Sequence, residues 1–391
     1  YNDDVRAILA GDAVLPADPR ELAGFWDSLT PAEKDGLAAW DPTIGNRDGL
    51  PAVDKTRLNE DLLVPITAAA ESDLAAVDAR HPDWARGENV PPSSGVLDEQ
   101  QQALRKEWES WAGDREKAAS AVAGLHEVRN QLDGDGRVPT FLMNLDDQGR
   151  GAIALNNPDT AHNVATYVPG TGTELSKMGG DMARANDLLS AADRIDRGSE
   201  NSVVAWMGYD APPGLSDAAR TTFADAGSPR LDSFQDGLRA AHVGPPSHNT
   251  VIGHSYGSTV VGHAMSDGRS LDVDSVVFAG SPGVGVTRVG ELALDGIAPE
   301  QMGDHVFATA APADPVTWIG ELVPEVAHGG DPTGDVFGAT AFESAPGSDS
   351  IYIPVLGDVG FDPDSHSDYF KPGTPSLLSM AEIMTNTGNI E

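Results

Sequence analysis

The chain has 391 residues, with 61 Asp plus Glu against 25 Lys plus Arg, and a formal net charge of −36. A surface this acidic repels nucleic-acid phosphates and anionic lipid headgroups, so we expect neither as a partner. Cys is absent, which excludes disulfides, thiol catalysis and Cys-bound metal. Apolar residues make up 40%, enough for a substantial core. No run of about 18 apolar residues occurs, so no membrane span is predicted.

The compartment and the oligomeric state stay open at the level of sequence. The chain begins at Tyr1 rather than Met, which is consistent with processing or trimming. A removed signal peptide would leave no trace in this numbering. The absence of Cys fits either the cytoplasm or a secreted protein.

Residues 1–136 are predicted to form a helical N-terminal domain. Thr30 to Glu33 has the pattern of a capping box, with Pro31 at the first helical position. A second helix is predicted from about residue 56 into the Ala-rich stretch 67–79. Apolar residues recurring at three, four or seven predict a long helix over 97–132, which packs against a partner face.

Residues 137–391 are predicted to form an α/β catalytic domain. The stretches 141–145 and 152–155 read as a hairpin. Continuous apolar strands alternating with helices then predict a mostly parallel, mixed sheet covered on both faces. The segment 214–229 is interpreted as a small cap or an ordinary surface loop. The strands are predicted at 164–168, 202–207, 250–252, 275–279, 305–309 and 350–355, and the helices near 175–195, 231–242 and 255–266.

The segment Gly253-His-Ser-Tyr-Gly257 matches G-x-S-x-G and lies between a predicted strand and a predicted helix. A strand-to-helix turn this sharp strains the backbone at its apex, so small residues must flank the apical one. The turn would present Ser255 at the carboxyl edge of the sheet, beside a helix N-terminus that favours developing negative charge. The alternative is a Gly/Ser turn of an unrelated α/β protein.

A serine nucleophile needs a base and a carboxylate that orients it. In enzymes with this kind of turn the chain order is Ser, acid, His. Asp314 follows the strand predicted at 305–309, and His366 follows the strand predicted at 350–355. We therefore predict Ser255, Asp314 and His366 as the catalytic residues. Two of these residues have non-catalytic alternatives: Asp314 could be a turn residue before Pro315, and His366 could be an ordinary surface-loop histidine.

Other titratable residues are weaker candidates for the same roles. His328 ranks second as the base, and Asp335 and Asp358 are the fallback acids. We expect His254 to pack or form a hydrogen bond beneath the turn, and His263 to be buried on the following helix.

An oxyanion site needs two amide donors. One is predicted from Tyr256, which directly follows the nucleophile, and the other from the loop after the strand at 164–168. Gly170 or Thr171 is the predicted donor there, because glycines let the backbone approach the substrate. A phosphate cradle is the competing interpretation of this loop, but the lysine of G-x-x-x-x-G-K-[ST] is missing.

These residues resemble an actinobacterial α/β-hydrolase family (DUF1023-type) with a helical N-terminal region. The resemblance covers roughly residues 140–372. It adds a signature in the helical half that comprises Trp26, Leu29, Ile44-Gly-Asn46, Asp48-Gly49 and Pro51. It implies a serine hydrolase fold with Ser255, Asp314 and His366 as the triad, and it implies little about the substrate. The motifs are Tyr167-Val-Pro-Gly-Thr-Gly172, Gly253-His-Ser-Tyr-Gly257, Gly280-Ser-Pro-Gly283, Asp314-Pro-Val316 and His366-Ser-Asp-Tyr369.

The leading hypothesis is a carboxylic-ester hydrolase acting on a small-molecule acyl ester without a metal or organic cofactor. Amidase, thioesterase and acyltransferase activities use the same triad and stay open. The second hypothesis is a non-catalytic interaction or scaffold protein whose helical half binds a partner. A complete triad in the right order argues against that second reading.

Overall fold

A computed structural model of the protein describes residues 1–95, 97–134, 136–214, 216–312, 314–317, 328–344, 351–353, 357–359 and 366–388. Within these residues no helix is long and apolar enough to cross a bilayer. In chain order the helices are α1 (Asp3–Ala10), α2 (Pro19–Asp27), α3 (Pro31–Trp40), α4 (Ala52–Arg80), α5 (Pro82–Ala85), α6 (Glu99–Asp133), α7 (Met178–Ile195), α8 (Thr222–Ala241), α9 (Tyr256–Ala264) and α10 (Pro375–Thr385).

The helical N-terminal region has the elements that the sequence predicts. Thr30 Oγ1 accepts the Glu33 N–H while Glu33 accepts the Thr30 N–H, so the capping box at the start of α3 is confirmed. The helix predicted at 97–132 is α6, and it packs on α4. The Trp111 indole donates to the Val77 carbonyl oxygen at 2.9 Å across this contact.

The main sheet is mixed, as predicted, and runs in the spatial order β1-β2-β4-β3-β5-β6-β7-β8. β1 pairs antiparallel with β2, and β2 pairs antiparallel with β4, while the remaining pairs are parallel. The carboxyl ends of β3 to β7 therefore meet at one edge. The strands are β1 (Thr140–Leu145), β2 (Gly151–Leu155), β3 (Asn163–Val168), β4 (Asn201–Met207), β5 (His248–His254), β6 (Ser275–Ala279), β7 (Val306–Thr309) and β8 (Thr340–Ala341).

Two sequence predictions are wrong. The strand predicted at 350–355 was expected in the main sheet, but among the described residues β9 (Ile351–Ile353) pairs with β10 (Gly357–Val359) in a separate two-stranded sheet. Residues 350, 354 and 355 lie outside the described residues. The eighth strand of the main sheet is β8. The helix predicted from residue 231 begins at Thr222, so the second half of the segment 214–229 is helical.

Apolar cores lie on both faces of the sheet. One contains residues of α8 and α9, the other contains residues of α7 and α10. The helical region has a core of its own, but Ala52 belongs to the first sheet core and Leu63 to the second. The division into two domains at residues 136/137 stays a prediction, because α4 contributes side chains both to the core of the helical region and to the cores of the sheet.

Candidate active site

The turn between β5 and α9 places Ser255 at the carboxyl edge of the sheet. Ser255 is 8% exposed and has φ 55° and ψ −133°, a conformation that non-glycine residues rarely adopt. Its N–H donates to the Ala279 carbonyl oxygen at the end of β6, at 3.0 Å. This hydrogen bond helps to hold Ser255 in its strained conformation. Backbone strain at this residue of the strand-to-helix turn is what the sequence motif predicts.

Both glycines of the motif stand where a side chain would collide. A Cβ on Gly253 would lie 2.5 Å from the Ser258 Cα, and one on Gly257 would lie 2.1 Å from the Val168 carbonyl oxygen. These contacts press the turn against its own helix and against the end of β3. The requirement for small residues on both sides of Ser255 is thus a packing requirement of this chain.

Asp314 and His366, 52 residues apart, are joined by a hydrogen bond. His366 Nδ1 lies 2.8 Å from Asp314 Oδ2, and the Asp314 side chain is fully buried. Since the carboxylate accepts at Nδ1, Nε2 is left as the free base nitrogen of a neutral His366.

The Asp314 carboxylate accepts two further hydrogen bonds. The Val316 N–H donates to Oδ1 at 2.9 Å, and the Tyr369 hydroxyl donates to Oδ2 at 2.6 Å. The Tyr369 hydroxyl in turn accepts the Ala311 N–H at 2.8 Å. Burial and the adjacent Asp314 raise the pKa of Tyr369, so its phenol stays protonated as a donor. Sequence reasoning gave Tyr369 no role of its own.

His254 lies directly beneath His366. Its Nε2 is 2.7 Å from the His366 carbonyl oxygen, and the two ring centroids are 4.9 Å apart. Burial, with a smaller effect of His366, holds the pKa of His254 well below its usual range, so the ring is neutral and donates from Nε2. The expectation of a hydrogen bond beneath the turn is confirmed, with the backbone of His366 as its acceptor.

The loop after β3 packs on the nucleophile turn. A Cβ on Gly170 would lie 2.6 Å from the Ser255 Cβ and 2.9 Å from the Tyr256 nitrogen. Within the described residues, no turn or loop hydrogen bond takes its N–H from Gly170, Thr171 or Tyr256. The first amides of a helix have no partner in the helix itself. All three predicted oxyanion donors therefore lie in segments adjoining Ser255.

Tyr209 supports the same loop. It is buried, and its hydroxyl donates to the Pro169 carbonyl oxygen at 2.7 Å. On the other side of the site Gly280 has φ 57°, and a Cβ there would lie 2.9 Å from Asp314 Oδ2.

The rival candidates lie in other surroundings. His328 Nε2 is hydrogen-bonded to the Ala218 carbonyl oxygen at 2.6 Å, and burial lowers its pKa. His263 is 9% exposed and pairs with Asp225 at 2.9 Å, as expected of a buried residue. Asp335 is exposed. The backbone of Asp358 lies in β10, and its side chain is outside what the structure describes. Among the described residues no cluster of three or more His, Asp or Glu is arranged to hold a metal ion.

A family model for α/β hydrolases matches residues 145–324, which include Ser255 and Asp314. The uncharacterized protein Mb0988c of Mycobacterium bovis is 31% identical over 270 residues, covering 65% of this chain and 94% of the relative. The chain belongs to the α/β hydrolases. This confirms the family resemblance and the fold class that the sequence motifs predicted.

A longer relative matches nearly all of this α/β hydrolase. The uncharacterized protein Rv2079 of Mycobacterium tuberculosis is 31% identical over 406 residues, which cover 94% of this chain. The chain spans 56% of that relative's length. Among solved structures, the esterase LipW from Mycobacterium marinum has a TM-score of 0.32 and 13% identity, covering 76% of this chain and 93% of LipW.

Proposed function

We propose that this α/β hydrolase is a serine hydrolase that cleaves carboxylic esters through an acyl-enzyme on Ser255. The observation that carries the proposal is the strained, buried Ser255 at φ 55° between β5 and α9. Strain of this kind persists only where the fold imposes it, and it clusters at active sites. In this proposal His366 is the base, and Asp314 is the acid that orients it.

The first half of the reaction forms the acyl-enzyme. Ser255 Oγ bonds to the acyl carbon while its proton passes to His366 Nε2, and the carbonyl electron pair moves onto the oxygen. The amides of Tyr256 and of Gly170 or Thr171 hold that oxyanion. When the carbonyl re-forms, the bond to the alkoxy group breaks, and the departing alcohol takes the proton from His366.

The second half hydrolyses the acyl-enzyme. A water molecule adds to the same carbon and gives a proton to His366. Collapse then breaks the bond to Ser255 Oγ, which recovers the proton, and the carboxylic acid leaves. The buried Asp314 stabilises the imidazolium in both halves without being protonated. Because each proton taken up by His366 is returned, the cycle needs only ester and water.

Intact mass after treatment with a fluorophosphonate tests the proposal. We expect a single adduct on the parent protein, no adduct on Ser255→Ala, and an unchanged adduct on the control Ser270→Ala. Asp314→Asn should slow labelling by about 10²–10⁴-fold, because the carboxylate no longer holds His366 in the productive tautomer. A folded parent protein without an adduct would refute the assignment and favour the scaffold alternative. An adduct retained by Ser255→Ala would also refute the assignment, because it would place the reactive nucleophile elsewhere. A panel of ester, thioester and amide substrates then tests the ester class.

A further inference from the structure

A cavity of about 680 Å³ opens between α5, α6 and the segment that follows Gly170. Its volume lies within the range of small-molecule sites. Trp84, Trp108 and Trp111 line it together with Ala119 and Ser176. Three of the chain's seven Trp residues thus face one cavity that the proposed catalytic steps do not use.

Hydrogen bonds fix two of the three indole rings. The Trp111 indole donates to the Val77 carbonyl oxygen at 2.9 Å, and the Trp84 indole donates to the Asn89 carbonyl oxygen at 3.2 Å. The two rings meet edge to face, with their centroids 5.7 Å apart. Since their polar atoms are already paired, these two rings present apolar surface to the cavity. The Trp108 Nε1 is buried and has no hydrogen-bond partner among the described residues.

The cavity shares a loop with the nucleophile. Gly170 packs on Ser255, and Ser176, six residues later, lines the cavity. The Thr173 N–H donates to the Gly170 carbonyl oxygen, and the Lys177 N–H donates to that of Glu174, so two consecutive turns fold the segment. Since a turn brings its end Cα atoms within about 7 Å and neighbouring Cα atoms are about 3.8 Å apart, Gly170 and Ser176 lie within roughly 18 Å.

Helix α6 holds this loop from the other side. Ser120 Oγ lies 3.2 Å from Glu174 Oε2 and 3.4 Å from Ser176 Oγ. A Cβ on Gly124 would lie 2.8 Å from the Leu175 Cβ. The wall of the cavity and the loop beside Ser255 are therefore one packed unit.

We propose that this cavity binds the aliphatic chain of the acyl group that Ser255 attacks, a deepening that rests on the proposed serine hydrolase. An extended chain of twelve carbons is roughly 15 Å long at ~1.3 Å per carbon, comparable to the upper limit of roughly 18 Å between Gly170 and Ser176. Arg115, paired with Asp78, and Glu116 also line the cavity, but most of the lining is apolar and matches an uncharged aliphatic chain. Free anions are disfavoured by the net charge of −36. The acyl group takes part in both half-reactions, first in the ester and then on Ser255, so the site can hold its chain in each.

Chain-length dependence of hydrolysis tests this proposal on the full chain. We expect kcat/KM for 4-nitrophenyl dodecanoate, kept below its aggregation concentration, to exceed that for the acetate at least tenfold. Ala119→Phe places a ring in the cavity and should lower this preference at least tenfold. Ala121→Phe, on the exposed opposite side of α6, is the matched control and should leave both rates unchanged.

Binding without turnover separates this proposal from the proposed function. In Ser255→Ala, methyl dodecanoate should shift the tryptophan emission with saturation, and adding Ala119→Phe should abolish the shift while adding Ala121→Phe retains it. If the parent protein is labelled on Ser255 but shows neither a chain-length preference nor an emission shift, the cavity is not the acyl-chain site. The proposed serine hydrolase would be retained. A saturable shift in a protein that no fluorophosphonate labels would retain a lipid-binding cavity and overturn the hydrolase.

Discussion

The side chain of His254 donates a hydrogen bond to the backbone of His366, 2.7 Å away and 112 residues later in the chain. The residue before the nucleophile thus holds the main chain of the proposed base. Because burial lowers the pKa of His254, this donor stays neutral and in place across the pH range in which a catalytic histidine titrates. We regard His254 as a positioning residue for His366.

This role is tested with variants of His254 whose side chains differ in whether they carry a hydrogen-bond donor and in how far it extends toward the His366 carbonyl oxygen. Removing the donor in His254→Ala should slow fluorophosphonate labelling of Ser255 by about tenfold, the equivalent of one hydrogen bond of roughly 1–1.5 kcal/mol. His254→Gln carries an amide donor near the position of Nε2 and should recover most of the rate. His254→Asn is too short to reach and should not. Equal rates for Gln and Asn would show that the hydrogen bond does not position His366.

The Tyr369 hydroxyl competes with His366 for the same oxygen of Asp314. In Tyr369→Phe that carboxylate oxygen loses a donor, so its charge interacts more strongly with the imidazolium. We expect the acidic limb of the kcat/KM profile to move to higher pH by up to about one unit, given roughly 1–1.5 kcal/mol per hydrogen bond. If folded Tyr369→Phe has the same acidic limb as the parent protein, the Tyr369 hydroxyl does not affect the charge interaction between Asp314 and His366.

Gly170 lies so close to Ser255 that we expect a single added methyl group at residue 170 to impair the active site strongly. Gly170→Ala would place a Cβ 2.6 Å from the Ser255 Cβ. We expect fluorophosphonate labelling to fall at least a hundredfold, because the loop must withdraw from the oxyanion position. Gly180→Ala is the matched control: its Cβ meets nothing within 4 Å, and within a helix it should stabilise the fold by about 0.5–1 kcal/mol. Similar labelling of the two variants would contradict the placement of the oxyanion site.

Asp159, between α4 and the sheet, predicts a pH dependence of stability. Burial raises its pKa from 3.8 to about 6. The folded state therefore binds a proton more tightly than the unfolded state, and the free energy of unfolding falls as pH rises from about 4 to about 6. Asp159→Asn lacks this titration, so the stability of the parent protein relative to the variant should decline across that window and level off above it.

Urea unfolding at pH 4 to 7 measures this difference, with the exposed Asp335→Asn as a control. Parallel curves for the parent protein and Asp159→Asn would contradict the raised pKa. The Ala52 N–H donates to Asp159 at 2.6 Å, so the titration acts where the helical region joins the sheet.

The nucleophile turn was predictable because its determinants are local. Gly253, Ser255 and Gly257 lie within five residues, and the apolar strand before them and the helix after them are periodic. The apolar run near residue 351 shows the limit of such patterns. Its composition predicts a strand, but pairing depends on distant partners, and the sheet instead ends at a two-residue strand, Thr340–Ala341, too short for any periodicity to reveal.

The start of α8 was missed for a related reason. Gly227 and Pro229 are helix breakers by propensity, so the sequence favours a helix that begins after them. In the fold Gly227 packs on Tyr209, where an added Cβ would lie 2.8 Å from the Tyr209 Cβ and 3.2 Å from its ring, so the close contact requires glycine inside the helix. The contacts of His254 and Tyr369 span 112 and 55 residues, and no local pattern encodes them.

The packing of α4 on the sheet has a consequence for how the chain is made. Asn59 of α4 donates to the Leu142 carbonyl oxygen of β1, 83 residues later. At about 5–20 residues per second, a ribosome needs roughly 4–17 s to make the intervening chain, so the contact of α4 with β1 forms only after that interval. Leu63 gains its buried place only then. The packing of α4 on the sheet is therefore completed only after β1 has been made.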